Sequence, residues 1–273
     1  MSQHDARGPV GIVGCGTMGA GIAEACARAG FDVAVRVLDE AHLEGGRARI
    51  AASLDRAVAG GRIEQAVRDH ALGRISFVTA YDGLAGVGVA IEAVPERLDV
   101  KREVFRELGE ACPQAILATN TSSLPVIEVA AASGVPGRVV GLHFFNPAPA
   151  MPLVEVAATV ATESVVREQA VEFARAAGKT PVECRDRAGF IANLLLFPYL
   201  NEAVRMLDAG AGAYRGSANC RCSDSRISAQ ASSPMRSMSS SGPIGCPAPS
   251  RMAASMSSRL AAPASSIRTA SFR

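Results

Sequence analysis

The sequence predicts an α/β fold built on a mostly parallel sheet, and three observations carry that expectation. A short apolar run, Pro9-Val-Gly-Ile-Val13, leads directly into Gly14-Cys-Gly16-Thr-Met-Gly19 and then into an alanine-rich helical pattern that Gly30 ends. Further short apolar runs alternate with helical patterns, the ordering that parallel strands with crossover helices require. The polar residues able to do chemistry fall at the ends of those runs, where open α/β sheets bind ligands.

The opening strand, glycine turn and helix stand in the context that the dinucleotide fingerprint needs, which makes the predicted sheet Rossmann-type. Gly14 permits the tight turn, Gly16 lets backbone N–H groups approach a pyrophosphate, and Gly19 allows close helix–strand packing with the helix N-terminus facing the phosphates. The same glycines without a ligand would be a plain strand-to-helix turn. The next run, Asp32-Val-Ala-Val-Arg-Val-Leu38, ends at Asp39, about where an acid meets the adenosine ribose hydroxyls. Arg36 lies close by and can instead receive a 2′-phosphate, so the expected cofactor is NAD with NADP left open. Residues Leu43 to Ala59 predict a long helix carrying Arg47, Arg49 and Arg56, either a solvated face or an attraction for a phosphate-bearing substrate tail.

Ile75-Ser-Phe-Val-Thr79 and Val87-Gly-Val-Ala-Ile91 predict further buried strands, the second followed by Glu92-Ala-Val-Pro-Glu96. A helix over Val100 to Cys112, carrying Lys101, leads to the strand Ala115-Ile-Leu-Ala-Thr119, which ends in Asn120-Thr-Ser-Ser123. Four small polar residues there either satisfy a helix N-terminus or hydrogen-bond a nicotinamide and a substrate oxygen. Arg138-Val-Val-Gly-Leu142 predicts a buried strand that delivers His143 at its end, and Leu153-Val-Glu-Val156 a second strand that sets Glu155 among apolar neighbours. The proline-laden loop between them would bring imidazole and carboxylate together. Such a carboxylate fixes one tautomer and favours imidazolium, which is how a general base is built; the alternative is a histidine salt-bridged for packing.

Composition sets the outer limits. A chain of 273 residues, 48% hydrophobic, can bury a sizeable core in one large or two ordinary domains. A net charge of +2 argues against neither nucleic acid nor acidic ligands but shows no dedicated basic surface; nucleic acid is not an expected partner. No apolar run approaches membrane-spanning length and the N-terminus lacks a signal peptide's apolar core, so no membrane partner and a cytoplasmic location are expected. Seven cysteines lack metal or redox spacing across most of the chain and are expected to be reduced.

Taken in order, several stretches resemble one family. They are the fingerprint Gly14 to Gly19, Glu92-Ala-Val-Pro-Glu96 with Lys101, Asn120-Thr-Ser-Ser123, Gly141-Leu-His-Phe-Phe-Asn-Pro147, Leu153-Val-Glu155, Gly178-Lys-Thr-Pro-Val182 and Asp186-Arg-Ala-Gly-Phe-Ile-Ala-Asn193. Over roughly residues 8–210 they resemble the 3-hydroxyacyl-CoA dehydrogenases, particularly the short-chain 3-hydroxybutyryl-CoA type. The resemblance implies His143 as catalytic base with Glu155 as its partner, and Ser122 and Asn193 as contacts to the substrate oxygen and thioester. It implies Glu96, Lys101, Asn120 and Asn146 around the nicotinamide and its ribose, an acyl-CoA substrate, and a homodimer formed through an all-helical second domain. In two places the sequence departs from the pattern. Counting from Gly19, the family's ribose-binding acid falls at Val37, so Asp39 stands two residues late, and Leu194 stands where many relatives carry arginine.

From Phe190 to Leu207 the pattern is helical with one apolar face, the start of that second domain. After Gly210 the character changes: Tyr214 to Arg273 is crowded with Ser, Arg, Ala, Met and Pro without apolar periodicity, the composition of a disordered tail. Codon logic sharpens that reading. In a reverse complement shifted by one base, the first two bases of each new codon complement the second and first bases of an old one. Pairing Pro263 with Gly210 and onward to Arg273 with Leu200, all eleven pairs obey this rule, and the codon opposite Tyr199 begins with T-A, as stops do. Continued from Ser257 back to Met252 the reading permits D-I-D-A-A-M, and from Pro249 back to Gly242 it permits G-A-G-H-P-M-G-P, both like the family's helical domain. The expected organisation is therefore a dinucleotide-binding domain over 1–184, the first helix of a helical domain over 185–212, and an antisense-derived tail over 213–273. Three functions follow as expectations: an acyl-CoA dehydrogenase, an inactive fragment that binds cofactor without turnover, or a related hydroxyacid dehydrogenase acting on free acids, against which the His143 and Glu155 pair argues.

Overall fold

The computed structural model describes residues 8–210. Eight strands form one sheet in the order β3-β2-β1-β4-β5-β6-β7-β8. The first six are β1 (Val10–Val13), β2 (Val33–Arg36), β3 (Ile75–Val78), β4 (Val89–Glu92), β5 (Ile116–Thr119) and β6 (Val139–Phe144). They pair in parallel, so their C-terminal ends share one edge. β7 (Leu153–Ala158) runs antiparallel to β6, and β8 (Thr180–Arg185) pairs in parallel with β7 at the sheet's far edge.

Burial on both faces explains why the central strands read as unbroken apolar runs. Along them, side chains alternate between two cores as the strand period demands. Val10, Ile12, Val89, Ile91, Ile116, Val140 and Leu142 enter one core. There they meet apolar residues of α1 (Thr17–Arg28), α2 (Glu40–Ala59), α3 (Gln65–Gly73) and α6 (Ser164–Ala176). Val13, Ala90, Leu117 and Val139 enter the other, against α4 (Leu98–Ala111) and α5 (Val126–Ala132). The α/β class and the mostly parallel sheet are therefore as the sequence predicts.

The differences are local. The sequence reading does not anticipate α3, α5, α6 or β8. β8 is a strand of alternating exposure that carries Pro181 at the sheet edge, where the missing N–H costs little. His143 lies inside β6, not beyond its end, and stands directly opposite Glu155 in the antiparallel register. The strand pairing itself, rather than the proline loop, brings the two side chains onto one face.

The first compact unit closes at Leu194. The expected helix over Phe190 to Leu207 is observed as α7 (Ala192–Asp208), which carries Pro198 within it and has no buried residue. Among its apolar side chains, Leu195, Phe197, Tyr199 and Met206 are exposed. The tail over 213–273 and its antisense reading lie outside the described residues. Among the described residues, no helix is long and apolar enough to cross a membrane.

Candidate active site

The glycine turn has the geometry its three positions imply. Gly14 has φ +93°, which a side chain rarely adopts, and a Cβ at Gly19 would fall 1.9 Å from the Gly14 carbonyl oxygen. A Cβ at Gly16 would meet no atom within 4 Å, so this glycine faces open space. Helix α1 starts there with neither a side-chain cap nor an acidic residue in its first turn, leaving its N–H groups to an anion. These features fit the pyrophosphate of a dinucleotide. From this turn a cleft of about 1460 Å³ runs across the C-terminal edge of the sheet. Gly14, Gly16, Glu96 and Asn120 line it, and so do Ser122, His143, Asn146 and Asn193. Cys15 lines it too, but burial pushes its thiol up to about 11, so it is no ready nucleophile.

His143 is buried, and its Nδ1 lies 2.6 Å from Glu155 Oε2. With Nδ1 engaged, Nε2 is the ring nitrogen left for a substrate. The other Glu155 oxygen, Oε1, accepts from the N–H groups of Ile191 at 3.0 Å and Ala192 at 2.8 Å. One carboxylate thus orients the imidazole and caps the start of α7, which places Asn193 on the cleft wall one residue later. Phe190 holds the turn before that helix in the left-handed region, at φ 48°. Its ring centroid lies 5.5 Å from that of His143, and the Phe145 ring packs at 4.5 Å.

Between β4 and β5 the edge is organised by carboxylates. Glu96 Oε1 accepts from the Thr121 hydroxyl at 2.6 Å, from the Ser122 N–H at 3.0 Å and from the Ser123 hydroxyl at 3.1 Å. Ser122 Oγ donates a long hydrogen bond, 3.5 Å, to the same oxygen, which leaves its acceptor lone pairs for the cleft. Burial raises the Glu96 carboxyl, but the Thr121 hydroxyl, the Lys101 charge and the loop donors outweigh it and hold the group below its ordinary value. Asn120 Oδ1 accepts from the Phe144 N–H at 2.9 Å, which ties β5 to the end of β6 and leaves the amide nitrogen for a ligand.

Two of the residues expected around the cofactor do not line the cleft. Lys101 is fully buried and absent from the cleft wall. Its Nζ donates to both oxygens of buried Glu92, at 2.7 and 2.9 Å, and lies 3.4 Å from Glu96 Oε2. It therefore acts on the cleft through Glu96. Asp39 is exposed and is the N-cap of α2: its carboxylate accepts from the His42 N–H at 2.9 Å and lies 2.6 Å from His42 Nδ1. Because a cap and a ribose-binding acid both follow a strand, sequence position alone does not separate them. An Asp39→Ala variant is expected to lower the thermal midpoint while leaving the NAD dissociation constant unchanged. Titration calorimetry beside a melting curve checks both halves. The sequence reading also missed the parts played by Glu92 and Asp186. Asp186 accepts from the N–H groups of Val126 and Ile127, both at 2.8 Å, at the start of α5.

A Rossmann-type sheet with a bare glycine turn, joined along one cleft to a buried histidine–carboxylate pair, defines a dinucleotide-dependent oxidoreductase. The comparisons narrow the class. Residues 9–187 match the model of the 3-hydroxyacyl-CoA dehydrogenase NAD binding domain. The 3-hydroxybutyryl-CoA dehydrogenase of Mycobacterium tuberculosis is 48% identical over 211 residues, covering 76% of this chain and 74% of the relative. A probable 3-hydroxybutyryl-CoA dehydrogenase of Deinococcus radiodurans is 39% identical over 201 residues, covering 73% and 72%. The crystal structure of M. tuberculosis FadB2 superposes with a TM-score of 0.74 at 49% identity, over 76% of this chain and 73% of that one. The chain belongs to the 3-hydroxyacyl-CoA dehydrogenase family, and NAD is the cofactor that its matched domain binds.

Proposed function

We propose that this chain interconverts a short-chain 3-hydroxyacyl-CoA and its 3-ketoacyl-CoA, with 3-hydroxybutyryl-CoA and acetoacetyl-CoA as the matching pair. The observation that carries the reading is the 2.6 Å contact of His143 with Glu155 on the wall of the cleft that begins at the glycine turn. Gly14, Gly16 and the first turn of α1 would hold the pyrophosphate, and Asn120 and Asn146 would contact the nicotinamide end of the cofactor. NAD, when bound, would supply the hydride acceptor for C3 of the substrate. His143 Nε2 removes the proton of the 3-hydroxyl, and in reverse the imidazolium protonates the forming alkoxide. Glu155 stabilises that imidazolium. Ser122 Oγ and the Asn193 amide hydrogen-bond the reacting oxygen and the thioester, which fixes C3 in the orientation that lowers the barrier. Glu96 and, behind it, Lys101 hold the Ser122 loop in place. The metabolism served is that of fatty acids or butanoate, in the cytoplasm.

A second reading, cofactor binding without turnover, is favoured by the exposed apolar side chains of α7. One experiment separates the two. The purified full chain is mixed with NADH and acetoacetyl-CoA, and nicotinamide absorbance is followed while NADH binding is measured by fluorescence. Steady NADH oxidation supports the dehydrogenase; NADH binding with no oxidation selects the second reading.

A further inference from the structure

We propose that Lys179 is a positioning residue for the cofactor: its ammonium pins the proline loop between β6 and β7 and so holds Asn146 at the nicotinamide end of the cleft. The inference rests on the reading that Asn146 contacts the cofactor there. Lys179 belongs to the stretch Gly178-Lys-Thr-Pro-Val182, in the turn between α6 and β8, which the proposed chemistry does not use. It is buried and absent from the cleft wall, so it touches the site only through other residues. Its Nζ forms no ion pair among the described residues. It donates instead to two backbone carbonyls, that of Ala148 at 2.6 Å and that of Met151 at 3.0 Å. Burial holds the ammonium below the ordinary lysine value, a cost that exposure would avoid.

The need for such a donor lies in the loop's own sequence. In Pro147-Ala-Pro-Ala-Met-Pro152 three residues are proline and bring no N–H. The N–H groups of Ala150 and Met151 both turn back to the Pro147 carbonyl, at 3.0 Å each. The Ala148 and Met151 carbonyls must therefore find donors outside the loop, and one ammonium with three N–H groups serves both. The lysine is itself set by the backbone on either side. Its own N–H donates to the Ala174 carbonyl of α6 at 2.9 Å, and the Thr180 N–H donates to the Pro152 carbonyl at 2.7 Å. The opposite side of the loop rests on α1, where a Cβ at Gly21 would fall 3.3 Å from Ala148 Cβ and 3.4 Å from Pro149 Cδ. Held between the lysine and that helix, the loop has little room to shift. Asn146 immediately precedes it and lines the cleft beside His143 and Phe145, so the constraint passes to the site.

The test compares two ligands that differ at the nicotinamide. On the full chain, NADH binding is followed by fluorescence and ADP-ribose binding by calorimetry. Lys179→Met is expected to weaken NADH about tenfold and to leave ADP-ribose within about twofold, because only NADH reaches Asn146. Asn146→Ala should show the same selective loss, and the double variant should lose little more than either single one, since both act at one contact. In turnover of acetoacetyl-CoA the Lys179→Met loss should fall on KM for NADH more than on kcat. Lys179→Gln, which keeps two N–H donors on a shorter arm, should give a smaller loss of the same selectivity and carries the cycle if the methionine variant does not fold. Equal weakening of both ligands, or losses that multiply in the double variant, would make Lys179 a general support of the fold and overturn the proposal. An Asn146→Ala protein with unchanged NADH affinity would remove the asparagine from the cofactor and the proposal with it, leaving the dehydrogenase reading intact. If the wild-type chain binds neither ligand, the cofactor reading itself falls.

Discussion

A His143→Gln variant is expected to lose activity on acetoacetyl-CoA by about a hundredfold to ten-thousandfold, the range that a positioned acid–base group contributes. Glutamine keeps a hydrogen-bonding side chain of related length but has no nitrogen that takes up and returns a proton. The loss should fall on kcat, with KM and NADH affinity little changed, because the imidazole works on a proton that moves only in the chemical step. Glu155→Gln should give a partial loss for a different reason. One oxygen of that carboxylate meets His143 Nδ1 while the other accepts two N–H groups at the start of α7. An amide can accept on one side only, so either imidazolium stabilisation or the Asn193 end of the cleft is disturbed. The measurements are stopped-flow reduction of acetoacetyl-CoA and NADH titration for each variant. A His143→Gln protein that retains wild-type kcat would remove the histidine from the chemistry and leave it a packing residue.

Much of this arrangement was legible in the sequence. Where backbone conformation alone decides the residue, as at Gly14 and Gly19, the pattern carries its own reason, and the structure returns the same reason as a positive φ and a 1.9 Å clash. Buried parallel strands announce themselves as apolar runs because neither face sees water. His143 and Glu155 were readable as a pair, though the cause of their meeting was not, since register between strands is a tertiary property. Asp39 is expected at the ribose from its place after a strand, and Lys101 near the nicotinamide from the family resemblance; neither lines the cleft. In the fold, Asp39 closes a helix end and Lys101 points inward to Glu92. Nothing in a one-dimensional pattern shows that a lysine on a helix has turned into the core, because charged residues are seldom buried and the default reading places them in water.

That inward lysine yields the largest expected change in stability. Glu92 and Lys101 are both fully buried. Besides the lysine, the Glu92 carboxylate accepts from the Thr119 hydroxyl at 2.7 Å and the Val94 N–H at 2.7 Å. Lys101→Met retains most of the side chain's volume but removes the positive charge, so the remaining carboxylate is buried without compensation, a change that costs about 3–5 kcal/mol. Burial already raises the Glu92 carboxyl, with Lys101, Thr119 and Val94 pulling the other way. Without the lysine the folded-state value rises further above that of the unfolded chain. The folded variant then binds a proton that the unfolded chain releases, so its stability falls as pH rises through that interval, and the full deficit appears only above the folded-state value. Urea unfolding at pH 5 and pH 8 should therefore show a small loss at the lower pH and the large one at the higher, relative to wild type. The double variant Lys101→Met with Glu92→Gln should recover part of the deficit and lose the extra pH dependence, since no buried charge is left. Equal losses at both pH values, or a double variant no more stable than the single one, would mean that the lysine supports the fold through packing alone. A recovered double variant would then isolate the lysine's second contact, Glu96, whose grip on the Ser122 loop should loosen. Its activity should fall through KM rather than kcat, because the group displaced positions substrate and the proton-transferring histidine is untouched.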